Sequence, residues 1–535
     1  MTSKRDNPYV LAVDLGTSGC KCALVRRDGV VHAWAFRPIP LYIVDEVGAE
    51  QDPEDWWQAF LGAARELIAS LPATGGYIEA ICCSCLGECT VAVDLAGNPL
   101  RRAMLWLDMR GAEQIRRRAG NDLLSVSGYG PLKLMRWITR TGGAPALSGK
   151  DPAGHMAFIQ EAWPEIYSRT YKFLNALDFM NLRLTGRFTA TVDSILTSWV
   201  TDNRDASNIR YDRALIRQSR IDRDKFPEIV SCTEVLGPLR PETAQELGLP
   251  ADTPVVAGAV DNSAAAIGAG TVGDGETHIY IGTSSWIGAH VPFKKTNLIA
   301  QIASIPCAIP GRYLAVALQS SAGSNLTFLK DRLLFPASEA GSAQPDDTYS
   351  AIEELAAPVP PGARGLLYTP WLFGERSPVD DPDLRAGFLN LSLQHSRAEV
   401  ARAVLEGVAL NTRWMMEPFG RLLGKSPEHI TLAGGGANSN LWCQIFANVL
   451  KVPVRQLRSP IQVNVVGAAL IGLVGIGELE FANVPALIRV QNTYSPEVEQ
   501  ATVYDNAFAR FKLAYRQLAP FYRKVNGRES TRHGI

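Results

Sequence analysis

Two short polar turns and one acid are the parts of this sequence whose residue types and spacing suit chemistry. Residues 9–25, YVLAVDLGTSGCKCALV, read as strand, Gly-Thr-Ser turn, strand. Residues 277–291 repeat the pattern, with Gly282-Thr283-Ser284 in the place of Gly16-Thr17-Ser18. Such a turn aims several backbone N–H groups one way and adds two hydroxyls, a phosphate cradle that needs no cationic side chain. A simple hairpin explains either copy alone. The duplication favours two loops that clamp a polyphosphate from both sides.

Asp14 stands in the first copy where the second has Tyr280. One acid beside phosphates suits magnesium held through water, because that ion takes one or two carboxylates and keeps several waters. Lys21, on the returning strand, is either a phosphate contact or a solvated strand lysine. Asp261 follows an apolar strand, 254–258, and stands beside Asn262 at the head of an Ala-rich helix. It reads either as a helix N-cap or as a general base that takes a hydroxyl proton during phosphoryl transfer. Gly434-Gly435-Gly436 lies between a strand, 430–433, and a helix, 438–450. It is either a tight turn or a place where backbone comes close to a flat ligand such as a nucleotide. Residues 268–273 match G-x-G-x-x-G but follow a helix rather than a strand, which removes the dinucleotide reading and a nicotinamide dehydrogenase with it.

The elements that must carry these residues follow from turn chemistry and periodicity. Three antiparallel strands open the chain, the third over 30–36 after an Asp28-Gly29 turn. Asp52-Pro53-Glu54-Asp55 signals a helix start, and Trp56, Phe60, Ala64, Leu67 and Ile68 recur at helical spacing. A central strand at 78–85 and another at 90–94 come next, then helices over 134–139, 173–184 and 213–221. In the second half, 312–318 and 362–369 read as strands and 322–333 as a helix. Residues 336–350 read as a polar loop, and 397–423 as a long helix broken or bent near Pro418. Residues 463–477 read as a buried helix, and a last amphipathic helix carries Phe508, Phe511, Tyr515, Leu518 and Phe521. The class is α/β with mixed sheets.

A chain of 535 residues is too long for one core, which predicts two domains. Its 53 Lys+Arg against 54 Asp+Glu, without a basic stripe, argue against nucleic acid as a partner. No signal-peptide core opens the sequence and no run is long enough to span a bilayer, so a cytoplasmic protein without membrane contact is expected. Nine cysteines suit a reduced chain. Cys82, Cys83, Cys85 and Cys89 contain a CxxC, but an extended strand sends neighbouring thiols to opposite faces, so packing is expected rather than zinc.

Together the motifs resemble the FGGY carbohydrate kinases, a branch of the actin/hexokinase-like ATPases. The resemblance runs nearly end to end, through DLGTSGCKCALV, WLDMR, LDFMNLRLTG, LGLPADTPVVAGAVDNSAAAIGAG, YIGTSSW, SAGSNL, GERSP, RAVLEGVA and AGGGANSNLWCQIFANVLKVPV. It implies two ribonuclease-H-like domains, here 1–265 and 266–535, with ATP and sugar in the cleft between them. It makes Asp261 the catalytic base and Asp14 the acid near Mg²⁺. Gly16, Thr17, Ser18 and Lys21 become the first phosphate loop, and Gly282, Thr283 and Ser284 the second. Gly323, Gly434, Gly435, Gly436 and Asn440 fall at nucleotide positions. Asp261-Asn262 and Trp106-x-Asp108-x-Arg110 are similar to the xylulokinase side of the family, which implies a pentulose such as xylulose as acceptor. Glu88, within Cys85-Leu86-Gly87-Glu88-Cys89, resembles the glycerol kinase acid instead. Tyr129, eight residues before Trp137, falls where a polyol-contacting aromatic can sit. Asp108, Arg110 and Asn262 complete the implied sugar side. Glycerol, gluconate, ribulose or an L-sugar are the alternative acceptors, and an actin-like nucleotide-binding scaffold is the non-catalytic alternative. A homodimer is a habit of the family.

Overall fold

The computed structural model describes residues 7–71, 76–120, 125–335 and 348–527. Two mixed sheets organise the chain. The first holds β1 (Asn7–Gly16), β2 (Gly19–Arg26), β3 (Val31–Pro38), β4 (Gly76–Cys85), β5 (Val235–Pro238) and β6 (Pro254–Val260), in the order β5-β6-β4-β1-β2-β3. The second holds β7 (Thr277–Ile281), β8 (Ser285–Val291), β9 (Thr296–Asn297), β10 (Ile302–Pro306), β11 (Tyr313–Gln319), β12 (Ile430–Ala433), β13 (Val454–Leu457) and β14 (Val490–Tyr494). Its order is β9-β10-β11-β8-β7-β12-β13-β14. Each sheet is centred on an antiparallel hairpin, β1–β2 or β7–β8, whose first strand also pairs in parallel with an incoming strand, β4 or β12. The parallel pairing buries both faces of β1 and β4, which is why those strands read as unbroken apolar runs.

Each sheet has its own core. One gathers Leu11, Val13, Leu15, Trp56, Phe60 and Phe179, the other Ile279, Ile287, Trp371, Phe419, Trp442 and Phe446. A third cluster joins the halves. The Val463–Gly475 helix, apolar all round as expected, lays Val465, Ala468, Leu470 and Ile471 against Val10, Ala12, Cys82 and Val256 of the first sheet. Its other neighbour is the Asp261–Gly268 helix. There an added Cβ on Gly467 would lie 1.9 Å from the Ala264 carbonyl, and one on Gly268 1.9 Å from the Val463 carbonyl. Two glycines therefore let the helix backbones touch, and each Val, Leu or Ile buried around them contributes about 1.5–3 kcal/mol.

Several elements differ from expectation for local reasons. Residues 173–184 are not one helix. Lys172–Leu174 is a strand, and Asn175 starts the Ala176–Thr185 helix with a capping box completed by Asp178. Of the break or bend expected near Pro418, the break does not occur: the Arg397–Leu423 helix runs through that residue, with Met415, Pro418 and Phe419 buried. Packing there outweighs a helix-interior proline's cost of about 3 kcal/mol. Only Leu367–Thr369 of the strand expected over 362–369 forms, because 363–365 turn as a short 3₁₀ segment. The polar loop expected over 336–350 lies outside the described residues as far as 347; the Thr348–Ala356 helix begins there. The cysteines of β4 alternate between cores: Cys83 and Cys85 pack with Cys20, Cys22 and Cys89, and Cys82 packs on the opposite face. Among the described residues no group of three or more His, Cys, Asp or Glu is arranged to hold a metal, and no helix is long and apolar enough to cross a membrane.

Candidate active site

The first hairpin closes on Thr17-Ser18, with Gly16 opposite Gly19 and Asp14 opposite Lys21. An added Cβ on Gly19 would lie 2.5 Å from the Arg37 carbonyl, so this strand start accepts only glycine. The turn is held from outside. Gln51 Nε2 donates to the Thr17 carbonyl at 2.7 Å, Trp106 Nε1 donates to the Thr17 hydroxyl at 3.1 Å, and the Ile39 amide donates to the Ser18 carbonyl at 3.2 Å. Ser18 itself is exposed. Lys21 Nζ donates to Asp14 Oδ2 at 3.0 Å, so the candidate magnesium acid and the candidate phosphate lysine form one ion pair at the turn.

The second hairpin has the longer turn Gly282-Thr283-Ser284, closed by the Gly282 amide on the Ser284 carbonyl at 2.9 Å. Thr283 is exposed. Gly323 opens the Gly323–Phe328 helix, and its amide donates to the Gly282 carbonyl at 2.8 Å. Ala322 and Ser324 donate to the Thr283 carbonyl at 3.0 and 3.1 Å. A Cβ on Gly323 would come within 2.5 Å of that Gly282 carbonyl. Buried Glu375, of the GERSP motif, supports this loop by accepting from the Ser320 amide at 2.8 Å and from Asn411 Nδ2 at 2.7 Å. Gly434 (φ +82°) packs on the same hairpin, where a Cβ would lie 2.6 Å from the Ile281 carbonyl. Gly435 is exposed, with open space at its Cα. Asn440 begins the next helix, and its Oδ1 accepts from Tyr494 at 2.8 Å and from Gln456 at 3.1 Å.

One segment brings the two hairpins together. The Gly434 amide donates to the Pro460 carbonyl at 2.9 Å, Lys21 Nζ reaches the Ile461 carbonyl at 3.4 Å, and Asn464 Nδ2 donates to Asp14 Oδ1 at 3.2 Å. Sequence reasoning missed Asn464, Gln51 and Glu375. Asn464 had a signal, since it is the one amide in the apolar run VNVVGAAL.

Asp261 stands at the first turn of the Asp261–Gly268 helix, part-buried, with its Oδ1 accepting from the Asn262 amide at 2.7 Å. The N-cap position is Val260, which has no capping side chain. Burial first, then the negative charge of Asp14, with smaller contributions from Glu88 and Asp193, push the Asp261 carboxyl up to about 7. Asp14, Glu88 and Asp193 are therefore its charged neighbours. Asn262 Oδ1 is buried without a hydrogen-bond partner. Glu88 holds a left-handed backbone, φ +57°, a conformation whose cost of about 1–3 kcal/mol is typically tolerated at functional sites.

The remaining sugar-side candidates are engaged with protein groups. Arg110 donates to both oxygens of Asp108, which is fully buried, and to Glu50 Oε1 at 2.6 Å. Tyr129 donates its hydroxyl to the Pro145 carbonyl at 2.6 Å and packs edge-on against Trp137. The misplaced glycine fingerprint, 268–273, does follow a helix.

Comparison with known proteins agrees with this geometry. The model of the FGGY family of carbohydrate kinases, N-terminal domain, matches residues 9–268, and that of the C-terminal domain matches 269–476. A xylulose kinase of Staphylococcus epidermidis is 30% identical over 520 residues, which cover 95% of this chain and 96% of that protein. A gluconokinase of Bacillus subtilis is 26% identical over 528 residues, covering 97% of both. The crystal structure of a xylulose kinase from Rhodospirillum rubrum has a TM-score of 0.81 at 27% identity, over 96% of this chain and all of that one. A family match across both halves leads to one statement: the chain belongs to the FGGY family of carbohydrate kinases.

Proposed function

We propose that this sugar kinase transfers the γ-phosphoryl group of ATP to a hydroxyl of a pentulose such as xylulose, with Asp261 as the general base. The observation that carries the reading is Asp261 itself, a part-buried acid in the first turn of a helix, with Asp14 and Glu88 among its charged neighbours and a carboxyl raised to about 7. A base near neutral pH both stays ionised and takes a proton usefully, and such a group contributes about 10²–10⁴-fold to rate. Asn262, with its unpartnered Oδ1, and Glu88 orient the acceptor hydroxyls. The amides of Gly16–Ser18 and Gly282–Ser284 receive the phosphate oxygens, and Lys21 adds a point charge. Gly434–Gly436 and Asn440 lie where the nucleoside binds. Asp108 and Arg110 frame the acceptor side through their mutual ion pair. Residues 1–265 and 266–535 act as the two cleft-forming domains.

Magnesium, when bound with ATP, neutralises phosphate charge. The residues present fit a hydrated ion: both Asp14 oxygens already accept bonds, from Lys21 and Asn464, and Asn464 Oδ1 is buried without a partner. Asp14 would hold the ion through water, as Mg²⁺ readily permits.

A sugar acid is the second reading, and one observation favours it. Half-buried Lys150 has Arg376, Glu88 and Asp380 as charged neighbours, and its ammonium is pushed down by burial and then by Arg376. Among the described residues it makes no ion pair. A carboxylate on the acceptor would relieve that repulsion. A coupled ADP-release assay with xylulose, ribulose, glycerol and gluconate tests both. Highest kcat/KM with a pentulose supports the first reading and with gluconate the second. ADP release that no sugar stimulates overturns both in favour of a nucleotide-binding scaffold.

A further inference from the structure

The strand that delivers Asp261 is irregular in a way that requires outside support. From Val256 to Ala259, β6 advances three residues while its partner β4 advances two, Cys82 to Ser84. The extra residue forms a bulge at Ala257-Gly258. Gly258 is left-handed (φ +74°), and a Cβ there would lie 1.9 Å from the Cys83 carbonyl. A bulge re-aims the residues after it and often lies next to an active site. Amides displaced from the ladder need other acceptors. Ala257 finds the Glu234 carbonyl and Gly258 the Cys232 carbonyl, both at 2.9 Å.

Val260, the last residue before Asp261, uses a side chain instead. Its amide donates to Asp193 Oδ2 at 3.1 Å, across 67 residues of sequence. The helix that follows has no capping side chain at Val260, so Asp193 supplies from another segment an acceptor at the strand–helix junction. Asp193 is anchored in turn. Its Oδ1 accepts from the Thr191 hydroxyl at 2.6 Å and from the Cys232 thiol at 3.4 Å, and the residue is 4% exposed with no ion-pair partner among the described residues. A buried carboxylate without a counter-ion is costly, and it is tolerated where it fixes donors that nothing else can reach.

We propose that Asp193 is a positioning residue for phosphoryl transfer, fixing the Asp261 carboxylate through the Val260 amide. The inference rests on the reading of Asp261 as the base. A misplacement of about 1 Å costs on the order of 10²-fold, so a positioning residue acts on kcat while substrate binding persists.

The test uses the full-length enzyme with ATP and the panel sugar that gives most turnover, comparing Asp193→Ala, Asp193→Asn and Asp261→Asn. For Asp193→Ala we expect kcat to fall about 10–100-fold, with KM for both substrates within about threefold. Amide exchange over residues 258–262 should accelerate. Asp193→Asn keeps an acceptor oxygen for Val260 and should restore slow exchange and most of kcat. If Asp193→Ala does not fold, Val260→Pro replaces it. Val260 has φ −68°, which proline adopts, so that change removes the donor without forcing the backbone at 260, though it also replaces the buried side chain and restricts Ala259; the same loss of kcat is expected. Wild-type kcat in Asp193→Ala or Val260→Pro overturns the proposal, as does Asp193→Asn no better than Asp193→Ala. Wild-type kcat in Asp261→Asn overturns the underlying reading instead, whatever Asp193 does.

Discussion

The two hairpins are the same device built with different side chains. In the first, Asp14 faces Lys21 across the ladder two pairs before Gly16 and Gly19 close the turn, and a carboxylate–ammonium pair results. In the second, the corresponding cross-strand pair is Tyr280 and Trp286, whose rings stack at 4.1 Å with an 8° interplanar angle. The first turn has two residues and is held by side chains from Gln51 and Trp106. The second has three and is held by backbone amides at Gly323 and its neighbours. Backbone amides alone suffice to cradle phosphate, so charge can be concentrated in the copy that adjoins the acid. A second carboxylate in place of Tyr280 would add repulsion against Asp14 and Asp261, which are its electrostatic neighbours. The proposed division of labour follows that asymmetry, with chemistry at the first hairpin and grip at the second.

The sharpest challenge to that division is removal of the Asp261 carboxylate. Asp261→Asn should lower kcat by about 10²–10⁴-fold while ATP affinity, measured by calorimetry, stays within twofold to threefold, about the scale expected when only a base is lost. Next comes the paired exchange at equivalent strand positions. Asp14→Asn should cost about 10²-fold in kcat, as loss of one electrostatic stabiliser does, while Tyr280→Phe should leave kcat within about threefold. Equal losses would erase the distinction.

The pH profile tests the same acid without mutation. Since Asp261 must be ionised, kcat/KM should fall about tenfold per unit below a pH of about 7. Stability should run the other way. Asp151, Asp178, Asp261 and Glu375 are each pushed up to about 7, chiefly by burial. Between about pH 4 and 7 the folded protein keeps protons that the unfolded chain has released, so stability falls as pH rises through that window. Thermal melts of the ligand-free enzyme should show the decline, and Asp261→Asn should make it shallower.

The smallest effects belong to the glycine turn behind the second hairpin. Gly434→Ala should raise KM for ATP and destabilise by about 1–3 kcal/mol, since it combines a left-handed backbone with a contact on Ile281. Gly435→Ala meets open space and should change melting by less than the equivalent of about 0.5 kcal/mol. If both variants behave alike, close packing on the hairpin is not what Gly434 supplies.

The hairpins, the strand feeding Asp261 and the Arg397–Leu423 helix were legible because turn chemistry and periodicity act over a few neighbouring residues. The same reasoning misjudged places where a neighbour intervenes. Asn175 caps a helix that periodicity starts three residues too early, and packing keeps Pro418 inside a helix it was expected to break or bend. At the site, residue types named Asp14, Lys21 and Asp261, but left Lys21 with two readings that only its partner resolves. Arg110 and Asp108, read from the resemblance as sugar-side residues, bind each other.

What the sequence alone determined, then, is each local device: two Gly-Thr-Ser turns, a glycine run after a strand, and a carboxylate at a strand's end. The tertiary structure alone decided their meeting. Asn464 reaches Asp14 across 450 residues, Gly434 seats on Ile281, and Asp193 holds the amide before Asp261. Those contacts depend on which helix face packs on which sheet, a property of the whole buried core that no stretch of neighbouring residues encodes by itself.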